Sequence, residues 1–187
     1  MSTIRILFDI IFFKAKPSDT PFNINATTLA FACAWFTSIL SSSMPNNLAN
    51  SFIFSLLQIG TYGAMIALFL NLNKKQNRIH QTLLAAYGTL AIINIIAFIF
   101  IFILIGSPLL VFPIAIWSFI IQMNILKNSL EISFGQAIFM LIGILFSIQF
   151  IILALINLAF PEDFKAHIEA MQQLRLETMQ QLQSQYQ

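Results

Sequence analysis

Three amide side chains, Gln58, Asn94 and Gln149, lie near the middle of long uncharged stretches of the chain. An amide donates and accepts hydrogen bonds, so three of them on facing helices could form a polar site inside a membrane. The same residue types also join membrane helices, at about 0.6–2 kcal/mol per contact. The sequence leaves both interpretations open. Gly60 and Gly63 indicate a close contact with a neighbouring helix.

Other residues suited to chemistry are few. The chain has no metal-ligand spacing, no glycine-rich phosphate loop and no G-x-S-x-G motif. Glu162 and Asp163 are adjacent carboxylates, and their place at a predicted helix start, where the helix dipole favours negative charge, explains them. We therefore predict that the protein is not an enzyme and that it holds no cofactor and no metal.

The composition indicates a membrane protein. Of the 187 residues, 58% are hydrophobic and 9% are charged, whereas soluble domains carry roughly 25% charged residues. So little charge cannot cover a surface that faces water, which predicts an all-α, polytopic integral membrane protein in contact with the lipid bilayer. A net charge of +2 is too small to indicate nucleic-acid binding.

Charged residues and a polar loop divide the chain into membrane crossings. The loop is "SSSMPNNLAN", residues 41–50, a polar cluster that contains proline. A crossing needs roughly 17–25 apolar residues. Residues 23–160 are therefore predicted to be a transmembrane domain, a bundle of five helices at about 24–40, 51–72, 82–105, 109–126 and 134–159.

The uncharged stretch 81–126 decides that number. As one helix it would be about 65–70 Å long at ~1.5 Å per residue, whereas the hydrocarbon core is ~30 Å thick. The chain must therefore turn within it. Gly106, Ser107 and Pro108 are the best place, because glycine tolerates unusual dihedral angles and proline cannot continue a helix.

The basic residues predict the orientation of the bundle. With five crossings, seven of the nine lysines and arginines lie on the side of the N-terminus, and only Lys165 and Arg175 lie on the other. Because cytoplasmic loops are enriched in basic residues, the N-terminus is expected in the cytoplasm and the tail outside. In a bacterium, this orientation would place the protein in the inner membrane with its tail in the periplasm.

The N-terminal segment, residues 1–22, is predicted to be amphipathic. Residues 3–13, "TIRILFDIIFF", can form a short helix with Arg5 and Asp9 on one face. It is too short to cross a membrane. It could lie in the membrane interface, with Lys14 and Lys16 near anionic headgroups, or it could pack under the bundle.

The C-terminal segment, residues 161–187, is predicted to be an amphipathic, glutamine-rich helix outside the membrane. Its apolar face could bind a protein partner, self-associate or lie on the membrane. A solvated extension of the last crossing is the alternative. The face consists of Phe164, Ile168, Met171, Leu174 and Leu182.

The order of these segments resembles the Yip-domain family, the Ypt/Rab-interacting membrane proteins, in a bacterial form. The resemblance covers residues 1–160. It is carried by the amphipathic start "RILFDIIFFKAKPSDTPFN", by five spans, and by residues 114–146, where a span with a tryptophan leads through a short basic linker into the last span. It implies the fold. GTPase binding is not implied, because the cytoplasmic Tyr-Gly-Pro type motif is missing.

The sequence favours a non-enzymatic scaffold or accessory subunit of the inner membrane that acts through protein–protein contacts at its two ends. The alternative is a small transporter or channel subunit in which Gln58, Asn94 and Gln149 line a neutral polar path.

Overall fold

The computed structural model describes residues 2–42, 48–103 and 108–159, and these residues form helices joined by short turns without any strand. This confirms the all-α class. The α-helices are α1 (Thr3–Ile11), α2 (Ile24–Ser42), α3 (Leu48–Leu72), α4 (Ile79–Ile103), α5 (Pro108–Leu130) and α6 (Phe134–Ala159). Short 3-10 turns occupy Pro17–Asp19 and Gln76–Arg78. The chain divides into two compact units, Met1–Ile148 and Gln149–Gln187.

Several predicted features lie outside the described residues. They are the centre of the loop at 41–50, the turn residues Gly106 and Ser107, and the C-terminal helix at 161–187 with its apolar face of Phe164, Ile168, Met171, Leu174 and Leu182.

Three stretches of helix are long and apolar enough to cross a membrane: Ser51–Leu72, Gln76–Phe100 and Phe134–Leu155. The apolar stretch Ile24–Leu40 in α2 is shorter. By length and composition, the described residues thus hold three candidate crossings, as an integral membrane protein requires, which is fewer than the five that the sequence predicts.

Helix α4 lies at the centre of the first unit. Residues 84–89 are all buried, so this part of the helix has no face toward the surroundings. Contacts with α1, α2, α3 and α5 surround it. A helix apolar on all sides is typical of such a position, and the small residues Ala85, Ala86 and Gly88 let the neighbouring backbones approach.

Helix α2 runs parallel to α4. Near its start, the Thr27 hydroxyl donates to the carbonyl of His80 at 3.3 Å. Further along, the Asn94 amide donates to the Thr37 hydroxyl at 3.5 Å. The buried face of α2 also carries Ala34, which is fully buried, so the two helices meet through small and hydroxyl-bearing side chains.

Helices α4 and α5 run antiparallel. Arg78, just before α4, donates to the carbonyl of Ser129 at the end of α5 at 3.4 Å. Gln122, further into α5, donates to the carbonyl of Ala86 at 3.3 Å. The described residues of the uncharged stretch 81–126 therefore belong to two helices, and Pro108 is the first residue of the second, a position that proline favours because its missing N–H is not needed there.

Helix α1 packs against the bundle. The Leu7 side chain covers Gly88 of α4, and the Trp117 indole of α5 donates to the Ile11 carbonyl at 3.3 Å. That bond satisfies one of the carbonyls left over at a helix end. Of the two interpretations of the N-terminal helix, the contacts favour packing on the bundle. Its buried residues are Ile6, Leu7, Ile10 and Ile11.

Three helix ends share one feature that the sequence does not signal. Phe13, Lys74 and Glu131, just beyond α1, α3 and α5, have φ values of 60°, 57° and 58°. The residue that follows each of them donates its N–H to the carbonyl five residues earlier in the chain, as Lys75 does to Leu70 at 2.8 Å. Such caps usually carry glycine, because other residues rarely adopt positive φ. Helix α1 accordingly ends at Ile11, two residues before the predicted end at Phe13.

Glu131 joins two loops at one end of the bundle. Its carboxylate pairs with Lys75, and with Arg78 at 2.7 Å. The hydrogen bonds from Lys75 and Arg78 lower the pKa of Glu131 from its ordinary value of 4.5, so the pairs persist at neutral pH and are lost as the pH falls through that lowered pKa. The α3–α4 and α5–α6 loops therefore lie together.

The two glycines of α3 give the first testable prediction. A Cβ at Gly63 would lie 1.6 Å from the Tyr87 hydroxyl oxygen and 2.7 Å from its ring, whereas a Cβ at Gly60 meets nothing within 4 Å. The predicted close helix contact thus holds for Gly63 and not for Gly60. We expect Gly63→Ala to destabilise the protein by about 1–3 kcal/mol, the usual range for overpacking.

Gly60→Ala is the matched control. It should leave the stability unchanged or raise it slightly, because alanine favours helix over glycine. Thermal unfolding of the purified protein in detergent measures both variants, and equal melting temperatures would contradict the packing described for Gly63.

Candidate functional site

A chain of hydrogen bonds crosses the centre of the bundle. The Tyr62 hydroxyl of α3 donates to the Gln122 side-chain carbonyl of α5 at 2.7 Å. The Gln122 amide donates in turn to the Ala86 carbonyl and to the Thr89 hydroxyl of α4, each at 3.3 Å. Tyr62 and Gln122 are 7% and 6% exposed. Three helices are thus joined by buried polar groups that satisfy one another.

Two further contacts tie α4 to its neighbours. The Tyr87 hydroxyl donates to the Ile59 carbonyl of α3 at 3.3 Å, in the space that Gly63 leaves open. On its other side, the Tyr87 ring meets Phe31 of α2 edge to face, with 5.3 Å between ring centroids. Together with the bond from Asn94 to Thr37, these contacts use polar groups to fix helix positions.

A cavity of about 270 Å³ lies beside this network. Helices α2 to α5 contribute its polar lining, and none of the described residues around it carries a charge at neutral pH. The polar lining residues are Ser38, Gln58, Tyr62, Asn94, Ser118 and Gln122.

Helix α6 supplies an aliphatic wall. Within the first unit its buried face consists of Ala137, Leu141, Ile144 and Ile148, spaced as one stripe of a helix. Leu141, Leu145 and Ile148 face the cavity. The lining therefore has a polar part on α2 to α5 and a purely aliphatic part on α6.

Gln58 and Ser118 differ from the other polar lining groups. Among the described residues, neither side chain has a hydrogen-bond partner, whereas Tyr62, Gln122 and Asn94 are bonded within the protein. Gln58 is exposed and Ser118 is half-buried. Their donors and acceptors are available to a molecule in the cavity.

The structure brings two of the three predicted amides together. Gln58 and Asn94 line the same cavity, although the Asn94 amide also bonds Thr37. Gln149 is the first residue of the second unit, and its side chain is exposed. For Asn94, both interpretations apply: it joins two helices and faces a cavity.

Gln122 and Ser118 are site residues that the sequence did not single out. The predicted crossing ended at residue 126, which placed Gln122 near the membrane surface, where an amide needs no explanation. The helix runs to Leu130, so Gln122 lies further from the helix end than predicted, and its side chain is buried. Lys127 is the sequence signal that could have shown the longer helix. A lysine is common in the last turn of a helix, where it can bond the terminal carbonyls, so it need not mark the end of the helix.

The chemistry of the lining suits binding. Among the described residues, no group of three or more His, Cys, Asp or Glu side chains could hold a metal ion. Hydroxyl and amide groups beside an aliphatic wall can accept and orient an uncharged molecule.

Comparison of the chain with protein-family models, with curated proteins and with solved structures finds no match. The resemblance to the Yip-domain family stays a prediction.

The pairing of Tyr62 with Gln122 can be measured by a double-mutant cycle. Tyr62→Phe removes the hydroxyl that donates to the Gln122 side-chain oxygen and leaves that buried oxygen without this hydrogen bond. We therefore expect a loss of about 1–3 kcal/mol of stability. Gln122→Met should also destabilise, because it breaks the bonds to α4 as well.

The double variant should lose less stability than the two single variants lose together. We expect a difference of about 0.6–1.7 kcal/mol, the range known for hydrogen bonds between membrane helices. Unfolding in detergent measures all four proteins. Strict additivity would mean that the two side chains do not interact.

Proposed function

We propose that the chain crosses the membrane five times, through α2 to α6, with the N-terminus in the cytoplasm of a bacterium and the tail outside, as in the Yip-type order of segments. The contact of Glu131 with Lys75 and Arg78 supports this proposal, because it brings the α3–α4 and α5–α6 loops to one end. Lys74, Lys75, Arg78 and Lys127 belong to these loops or to the last helical turn beside them, which agrees with a cytoplasmic face.

Reporter fusions test the topology. Alkaline phosphatase, which is active only outside the cytoplasm, should be active when fused after Gln187 and inactive when fused after Lys75. A fluorescent protein that folds only in the cytoplasm should give the opposite pattern. Fluorescence from the fusion after Gln187 would exclude five crossings.

We further propose that the protein is a non-enzymatic scaffold or accessory subunit that acts through protein–protein contacts. One observation supports this function best: the buried polar groups of α3, α4 and α5 are bonded to one another, through Tyr62, Gln122 and Thr89. A bundle held in this way is a fixed platform in the membrane. Its extramembrane ends are then the parts that can meet a partner.

Removal of residues 161–187 tests the scaffold role. If the tail is the contact element, its deletion should abolish the co-purification of partner chains or self-association, measured after cross-linking in intact cells. Ile168→Gln combined with Met171→Gln should act in the same way, because it removes apolar groups from the proposed contact face.

The matched control is Gln173→Ala combined with Gln180→Ala, which changes the opposite face of the same predicted helix. It should leave the recovered chains unchanged. Identical recovery from the full-length and the truncated protein would overturn the scaffold role of the tail.

A small transporter or channel subunit is the second candidate. The shared cavity of Gln58 and Asn94 favours it, because neutral polar groups between helices can replace part of a solute's hydration. Solute flux in reconstituted vesicles separates this candidate from the scaffold. Changing both amides to alanine should alter the flux if they line a path, and an unchanged flux would count against the candidate.

A further inference from the structure

We propose that the cavity is a binding site for a small neutral amphiphile taken up from the bilayer, a molecule with one hydrogen-bonding head group and an aliphatic body, such as a medium-chain alcohol. The proposal is independent of the scaffold role and of transport, since a molecule can occupy the site without being carried across.

The absence of charge from the described lining selects an uncharged ligand. A carboxylate or an ammonium group would lose its hydration on entering the cavity and would meet no opposite charge there, at a cost of several kcal/mol per ion. Amide and hydroxyl groups are both donors and acceptors, so they suit a hydroxyl or a carbonyl head group.

The division of the lining sets the orientation of the ligand. Gln58 of α3 and Ser118 of α5 have polar atoms without partners among the described residues, so they can bind the head group. Leu141, Leu145 and Ile148 of α6 offer only methyl and methylene groups, against which an alkyl chain can lie.

The entrance and the size favour a ligand from the bilayer. Gln58, Ala115 and Leu145 line the cavity and are exposed, so the cavity opens at the surface of helices that are predicted to cross the membrane. Its volume of about 270 Å³ lies just below the range of ~300–1,000 Å³ that holds drug-sized ligands. A single short alkyl chain fits, whereas a whole phospholipid does not.

Photolabelling of the full chain in lipid nanodiscs tests the proposal. The probe is octanol that carries a photoreactive diazirine, and peptide mass spectrometry locates the adducts. We expect adducts on the segments around Ala115 and Phe119 of α5 and around Leu141 of α6. Unlabelled octanol should compete them away.

Two variants test the proposed hydrogen bond to the head group and the occupation of the cavity. Gln58→Leu should weaken the competition by octanol roughly two- to tenfold, the effect of losing one hydrogen bond. Ala115→Phe should fill the cavity and abolish the labelling there, whereas Ala64→Phe, which adds the same bulk at an exposed position of α3, should leave it unchanged.

Adducts spread along the exposed helix faces, or labelling that neither octanol nor Ala115→Phe reduces, would overturn the proposal. Labelling that competes normally but is unaffected by Gln58→Leu would also overturn it, because the head group would then not bind where we place it. Recovery of partner chains through the tail is measured separately, so failure of one proposal does not imply failure of the other.

Discussion

The complete burial of residues 84–89 of α4 is the constraint on which the rest of the bundle depends. With residues 84–89 buried, neighbouring helices can approach only where side chains are small, and any polar group must find a partner inside the protein. Gly88 meets the first condition by accepting Leu7 of α1. Thr89 meets the second through the Gln122 amide and the carbonyl of Ala85.

The same constraint explains why the polar groups are shared between helices. A hydrogen bond within one helix would satisfy a side chain without holding a neighbour. The bond from Tyr62 to Gln122 and the bond from Tyr87 to the Ile59 carbonyl each cross between helices instead. In a membrane, where apolar contact alone distinguishes poorly between a helix and a lipid tail, such bonds fix which faces meet.

The cavity follows from how α6 joins this arrangement. Helices α3, α4 and α5 are held by polar bonds, whereas α6 presents an aliphatic stripe with Leu141 and Ile144. Aliphatic side chains cannot satisfy Gln58 or Ser118, so these two groups remain available beside an apolar wall. A binding site for an amphiphile results where the aliphatic side chains Leu141, Leu145 and Ile148 of α6 face helices whose polar groups are not all bonded to one another.

The sequence by itself determined the all-α fold, the presence of helices apolar enough to cross a membrane and the start of a new helix at Pro108, because charge content, hydrophobic length and proline are local properties. It also identified Gln58 and Asn94 as amides inside apolar segments. Only the tertiary structure decided that these two share a cavity, that Gln122 is the central bonding residue, and that Gly63 rather than Gly60 receives a neighbour. These outcomes depend on the rotation of each helix about its axis, and nearly uniform apolar segments leave that rotation unspecified until hydrogen bonds between helices select it.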